Sequence, residues 1–282
     1  MRDLVLSPSW NAVAAGQTAS VSLPVGNLTY HRLLIEVGMS NTGGGSKANL
    51  ETYISQIRLN LNGKVQRRMS ASQLDSINAY HGKPNNGSGF LEIYFSEPWL
   101  RTAEGEDALA WGMADIATFT VEMDLAAGIT APTIQLHSEI ERIGRNNGYI
   151  KKWRPFQAPI VTTGIFSQNS LPKDAAYSTI HCFNGTTADI ADVEVMVDGL
   201  SRYKATNAET VENLTNYGNV PQSNMFHLDF ARTKRVADAL SMISVPATNN
   251  TPAVPVQDFT IRWDMANATP FTEICEVIGL RD

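Results

Sequence analysis

Ile54-Ser55-Gln56-Ile57-Arg58-Leu59-Asn60-Leu61-Asn62-Gly63 returns 136 residues later as Ile190-Ala191-Asp192-Val193-Glu194-Val195-Met196-Val197-Asp198-Gly199. Ile57, Leu59 and Leu61 alternate with polar residues, and so do Val193, Val195 and Val197. A period of two marks a half-buried strand. Each copy ends in Asn-Gly or Asp-Gly, the dipeptides that accept the positive φ of a tight hairpin turn.

Three more units follow in both halves. Ser70-x-x-Gln73 and Thr206-x-x-Glu209 are capping boxes, in which a hydroxyl and an amide or carboxylate satisfy orphan backbone N–H groups. Behind them Leu74, Ile77 and Tyr80, matched with Val211, Leu214 and Tyr217, predict one amphipathic helix per half. Leu91, Ile93 and Phe95 alternate like Phe226, Leu228 and Phe230. Phe119–Ala126 is answered by Phe259–Ala266, and a last apolar strand is expected near Thr133–Ile140 and Thr272–Ile278. Four units in one order, at offsets of 135 to 140, imply a duplicated fold.

Strands dominate each half and turn signals separate them, as in Asn41–Gly45, Lys83–Gly89 and Thr248–Pro255. Alternating α/β architectures need a helix between most strands and are excluded. A half has room for about eight strands of ordinary length. The expectation is therefore an all-β chain of two tandem eight-stranded jelly-roll barrels, each with a short helix. The N-terminal barrel is expected over 1–143, a connector over 144–175 and the C-terminal barrel over 176–282. Trp153 and Phe156 should anchor the connector by burial.

Only 18% of the residues are charged, which suggests that much of the surface ends against something else. The net charge is −6, and a chain gripping nucleic acid would need clustered Lys and Arg. The one basic run is Lys151-Lys152-Trp153-Arg154, and Arg2 is the only basic residue in the first 30. No direct nucleic-acid contact is expected. No run of ~18 apolar residues suggests a membrane-spanning helix. Met1-Arg2-Asp3-Leu4 lacks the apolar core of a secretory signal, so Asn184-Gly185-Thr186 reads as a chance match to a glycosylation triplet. Cys182 and Cys275 are too few for a disulfide framework and read as small buried hydrophobes.

No catalytic constellation emerges. His31, His81, His137, His181 and His227 form neither His-x-His nor His-Glu-x-x-His, so the ligand pattern of a two-barrel metal enzyme of the cupin kind is absent. His181 and Cys182, adjacent on a strand, point to opposite faces and cannot form a nucleophile–base pair. Asp124 and Asp264, like Asn62 and Asp198, recur between copies and suit strand ends and turns better than acid–base work. Glu104, Glu106 and Asp107 make an acidic loop that could hold a structural Ca²⁺, although a solvated loop is the plainer reading. No other cofactor is expected. Gly43–Gly45 lacks the Gly-Lys-Ser/Thr ending of a phosphate loop.

The segment Asn11–Tyr30, with its Ala14-Ala15-Gly16 turn, alternating strand, Leu23-Pro24-Val25-Gly26 and Tyr30, resembles the N-terminal strand of major capsid proteins of corticovirus-type bacteriophages. The hairpins ending at Gly63 and Gly199 resemble that family's apolar-x-apolar-x-apolar-Asp-Gly hairpin, with Asn62 in place of Asp in the first copy. The resemblance is clear over roughly the first 80 residues and rests on order and length beyond. It implies a double jelly-roll capsid protein. Three chains would form a homotrimeric, pseudo-hexagonal capsomer tiling an icosahedral virion, made in the host cytoplasm. It further implies neighbouring capsomers, penton, spike or minor membrane-associated proteins as partners, and an internal lipid membrane that Met1 to Ser9 would face. Two alternatives stand beside it. One is a jelly-roll spike or carbohydrate-binding protein, although Trp10, Trp99, Trp111, Trp153 and Trp263 are scattered rather than gathered into a platform. The other is a secreted, two-jelly-roll, glycan-cleaving enzyme.

Overall fold

The computed structural model of the chain describes residues 1–87, 89–100, 102–185, 187–248 and 252–282. Thr186 of the Asn184-Gly185-Thr186 triplet, Ser88 of the Lys83–Gly89 loop and Asn249 to Thr251 of the Thr248–Pro255 loop lie outside the described residues, as does Arg101. The chain divides into two compact units, Met1–Arg154 with Leu280–Asp282, and Pro155–Gly279.

The first unit runs β1 (Arg2–Leu6), β2 (Thr18–Leu23), β3 (Thr29–Gly38), α1 (Lys47–Tyr53), β4 (Ile54–Leu61), β5 (Lys64–Met69), α2 (Ala71–Tyr80), β6 (Phe90–Tyr94), α3 (Ala103–Ala108), β7 (Trp111–Gly112), β8 (Phe119–Leu125), β9 (Thr133–Glu141) and the start of β10 (Ile150–Ala158). One sheet has the order β1-β9-β3-β6, with β7 also on β3; the other has β2-β8-β4-β5, with Trp153 of β10 beside Arg67 of β5. The second unit runs β11 (Gly164–Gln168), β12 (Ala176–Phe183), β13 (Ile190–Val197), β14 (Leu200–Thr206), α4 (Asn207–Asn216), β15 (Phe226–Asp229), β16 (Ile243–Val245), β17 (Val254–Pro255), β18 (Phe259–Met265) and β19 (Phe271–Gly279). Its sheets have the orders β11-β18-β13-β14 and β15-β12-β19, with Gln157 of β10 reaching Thr272 of β19; β16 and β17 form a separate ribbon.

In β2–β6, β8 and β9 against β11–β15, β18 and β19 the two units repeat one topology, down to their irregularities. The β4–β5 ladder slips between Leu59 and Asn60, and the β13–β14 ladder slips between Val195 and Met196. The β4–β8 ladder slips between Ile54 and Gln56, its counterpart between Ile190 and Asp192. Tyr30 donates its hydroxyl to the Pro24 carbonyl at 2.7 Å, and Tyr177 to that of Pro172 at 2.6 Å. Both tyrosines start a bulge against the last strand of their unit. A bulge carries no residue signature of its own, so these agreements were not legible before the strands were paired. The Leu23-Pro24 and Leu171-Pro172 dipeptides were a legible sign of this fifth repeat.

Period-two patterning builds the cores. Phe119, Val121, Met123 and Leu125 of β8 all point inward, as do Phe259, Ile261, Trp263 and Met265 of β18. Each such side chain contributes about 1.5–3 kcal/mol by leaving water. Across the first sandwich Tyr30 meets Phe119 edge-on, with ring centroids 5.2 Å apart; across the second, Phe226 meets Trp263 at 6.0 Å. Cys182 and Cys275 are buried in the second core and are not joined in a disulfide. Asn62 and Asp198 take φ of +50° and +49°, followed by Gly63 at +75° and Gly199 at +77°. The Asn62 carbonyl Oδ1 accepts the N–H groups of Ala117 and Thr118, and Asp198 Oδ1 those of Gln257 and Asp258. Asn62→Ala, losing both bonds and the tolerance of left-handed φ, should lower stability by about 1–2 kcal/mol in urea unfolding. Asn62→Asp should be close to neutral, because the second copy already uses Asp; an equal loss in both variants would rule out this account.

Four expectations need correction. The sheets do not close into barrels: each unit is a two-sheet sandwich, and strands such as β11 and β14 end their sheets unpaired. Side-chain packing, not a continuous ladder, joins the sheets. The 144–175 connector is no separate linker. It holds β10 and β11, and the unit boundary falls inside β10, whose Trp153 is buried and whose Phe156 packs against the second core. The first unit has two further helices, α1 and α3, and the acidic Glu104–Asp107 stretch lies on α3, which Thr102 caps. Finally, both capping boxes form, and they fix a helix offset of 136. Leu74 is therefore equivalent to Thr210, not Val211, and α4 buries Thr210 and Leu214.

Candidate assembly surfaces

The charged and nucleophilic side chains are mostly occupied with one another. Arg2 reaches Asp107 at 2.6 Å and Glu106 at 3.5 Å, and His31 Nδ1 lies 3.1 Å from Asp107. Two of the three acidic residues considered for an ion thus have a guanidinium as counter-charge. Burial holds the His31 pKa below its ordinary value, with Arg2 acting the same way. Asp124 chelates Arg58 at 2.7 and 2.8 Å and accepts from Thr18 at 2.6 Å, which holds its carboxyl below the usual range. Asp264 sits in register with Ile165 on one side and with Asp192, a second carboxylate of its own copy, on the other. His137 is half-buried on β9 and His81 caps α2.

The strand register makes one pair that spacing could not show. His181 faces His227 across β12 and β15, with Nδ1 atoms 2.8 Å apart. The Gln222 N–H donates to His227 Nε2 at 3.3 Å, so His227 carries its proton on Nδ1 and gives it to His181. Both are buried, Cys182 lies on the opposite, core-facing side, and no nucleophile–base pair forms. The two histidines are 46 residues apart, and only their cross-strand register joins them.

The basic run is also spent inside the first unit. Lys151 is buried against Glu97, Lys152 meets Asp282 at 2.7 Å and Arg154 meets the same oxygen at 3.0 Å. No cationic strip is left there for phosphates.

Several large apolar side chains remain outward. The β16–β17 ribbon exposes Ile243 and Val245 at 49% each and Val254 at 40%. Leu4 and Leu6 on β1 and Ile165 on the open-edged β11 are exposed as well. Exposed apolar side chains on a ribbon and on sheet edges suit packing against another chain.

Models of the viral coat protein P2 N-terminal and C-terminal domains match residues 6–141 and 150–280. The chain belongs to the viral coat protein P2 family. This coat protein is a structural component of a virion capsid, not an enzyme. Its fold is similar to the crystal structure of the major capsid protein P2 from bacteriophage PM2, with 20% identity, a TM-score of 0.85, and coverage of 100% of this chain and 98% of that one. It is similar also to the major capsid protein of Sulfolobus turreted icosahedral virus (12% identity, TM-score 0.68, 99% and 97% covered). A third likeness is to the PBCV-1 virus capsid (11%, TM-score 0.62, 99% and 96%). No curated protein matches the sequence. The coat protein is thus a double jelly roll, as the duplicated strands predicted.

Proposed function

We propose that three copies of the coat protein close into a homotrimer that serves as one pseudo-hexagonal capsomer. The observation that carries this reading is the repetition of one two-sheet topology within the chain. Two equivalent units per chain give six in a closed threefold ring, and a six-sided tile can cover a shell. The exposed apolar side chains of β16–β17 and β1 supply contact area, and an obligate interface should bury more than ~2,000 Å². The shell would enclose a lipid membrane rather than touch nucleic acid, a reading supported by the net charge of −6 and the internally paired basic run. Neighbouring capsomers, penton, spike or minor membrane-associated proteins would be its partners.

Light scattering on the purified protein should give three times the 30.8 kDa chain mass. Ile243→Asp with Val245→Asp should reduce it to one chain mass. A parent protein that stays monomeric at all concentrations would overturn the trimer, and purified particles without phospholipid would overturn the membrane.

A further inference from the structure

A polar cleft of about 400 Å³ opens in the first unit between α2, the Gly82–Asn86 stretch and β6. It shares Arg32, Lys83 and Tyr94 with a second hollow of about 200 Å³, so the two form one elongated groove. Its size falls in the small-molecule range of about 300–1,000 Å³. We propose that this groove binds a neutral saccharide of one or two rings.

Asp75 is the central observation. It lies on α2, is 2% exposed, and lines the cleft. Its side-chain hydrogen bond is a long one, 3.4 Å from the Asn85 amide. A carboxylate has room for about four donors, and poorly served acceptors are costly when buried. Burial pushes its pKa up to about 6, in line with weak solvation. Sugar hydroxyls are donors of the right size and number for such a group.

The surroundings are preset. Asn85 is fixed by the Phe90 carbonyl at 2.9 Å and the Gly87 N–H at 2.9 Å. Arg32 is fixed by Glu139 at 3.0 Å and Glu92 at 3.4 Å, with its guanidinium over the Tyr94 ring. Asp75 and Glu92 offset Arg32 and Lys83 along the lining, which favours a neutral, hydroxyl-rich ligand over a phosphate or a metal ion. The second copy shows which of these polar groups the fold can do without. In the register set by the capping boxes, Asp75 and Asn78 correspond to Val211 and Leu214. A jelly-roll helix is built there with apolar residues, so the Asp75 carboxylate is not required by the fold, whereas Asn78 ties α2 to β6 by donating to the Glu92 carbonyl at 2.8 Å.

The test is saturation-transfer NMR on the full chain with four probes: the methyl α-pyranosides of glucose, galactose and mannose, and N-acetylglucosamine. At least one should receive saturation. Asp75→Val, the residue of the second copy, should weaken that binding roughly tenfold or more. Asn86→Ala, on the exposed rim, should weaken it several-fold with an unchanged melting curve, which separates a lost contact from a lost fold. No transfer to any of the four sugars, or parent-like binding in either variant, would overturn the proposal.

Discussion

Replacing Glu97 with Leu should destabilise the first unit by about 3–5 kcal/mol, the usual result of stranding one member of a buried ion pair. Glu97 and Lys151 are both buried, and they pair directly. The region is already rich in positive charge. Arg67, 2% exposed, donates to the Lys151 carbonyl at 2.9 Å and to that of Tyr94 at 2.6 Å. Its guanidinium is stacked among Phe95, Trp111 and Trp153, with centroid distances of 5.3, 5.4 and 5.1 Å. Removing the Glu97 carboxylate leaves the Lys151 ammonium in low dielectric beside that cation. Calorimetry should show the first unit's transition fall by on the order of 10 °C. The double variant Glu97→Leu with Lys151→Met should recover most of the loss, because two well-packed apolar residues avoid the desolvation of both charges. A loss below ~1 kcal/mol for Glu97→Leu would show that Lys151 keeps its solvation in the fold.

The second unit should instead lose stability as the solution becomes more alkaline, and Glu273→Gln should abolish that loss. Glu273 points into the second core, opposite Cys182 in the β12–β19 register. Gln168 donates to it, and Trp263 Nε1 donates to Gln168 Oε1 at 3.0 Å. Burial raises its pKa from 4.5 to about 7, against the smaller opposing effect of Gln168. The unfolded chain therefore releases this proton first. Its contribution to stability is fully present below pH 4.5 and is lost as pH rises through about 7. At about 1.4 kcal/mol for each pH unit of difference, the loss is on the order of 3 kcal/mol. Gln keeps the amide contact and cannot ionise. The advantage of Glu273→Gln over the parent, measured by urea unfolding, should grow by about that amount between pH 5 and pH 8. An advantage independent of pH would mean that Glu273 is already ionised in the fold.

The candidate site was less legible than the fold. The cleft's Asp75 and Glu92 are 17 residues apart on a helix and a strand, and no spacing rule joins them. The Lys151–Glu97 pair was hidden too, because Lys151 reads only as one of a basic run until its strand, β10, is placed. A one-residue error in aligning the helices hid the contrast of Asp75 with Val211. Hydrophobic spacing alone is degenerate between neighbouring helical positions, whereas the cap geometry is not.

The sequence by itself determined the strands, the two Asn/Asp-Gly hairpins, the capped helices and the doubling of the whole. Those features rest on local forces: alternation that must bury one face, φ values open to few residues, and orphan N–H groups that a nearby hydroxyl can satisfy. The tertiary structure alone decided where ladders slip, that β10 is shared between the units, and which charges are paired. It also decided that the sheets stay open. These are outcomes of pairing between residues tens to more than a hundred positions apart, and the energy of such a contact depends on burial and register that no local stretch of chain contains.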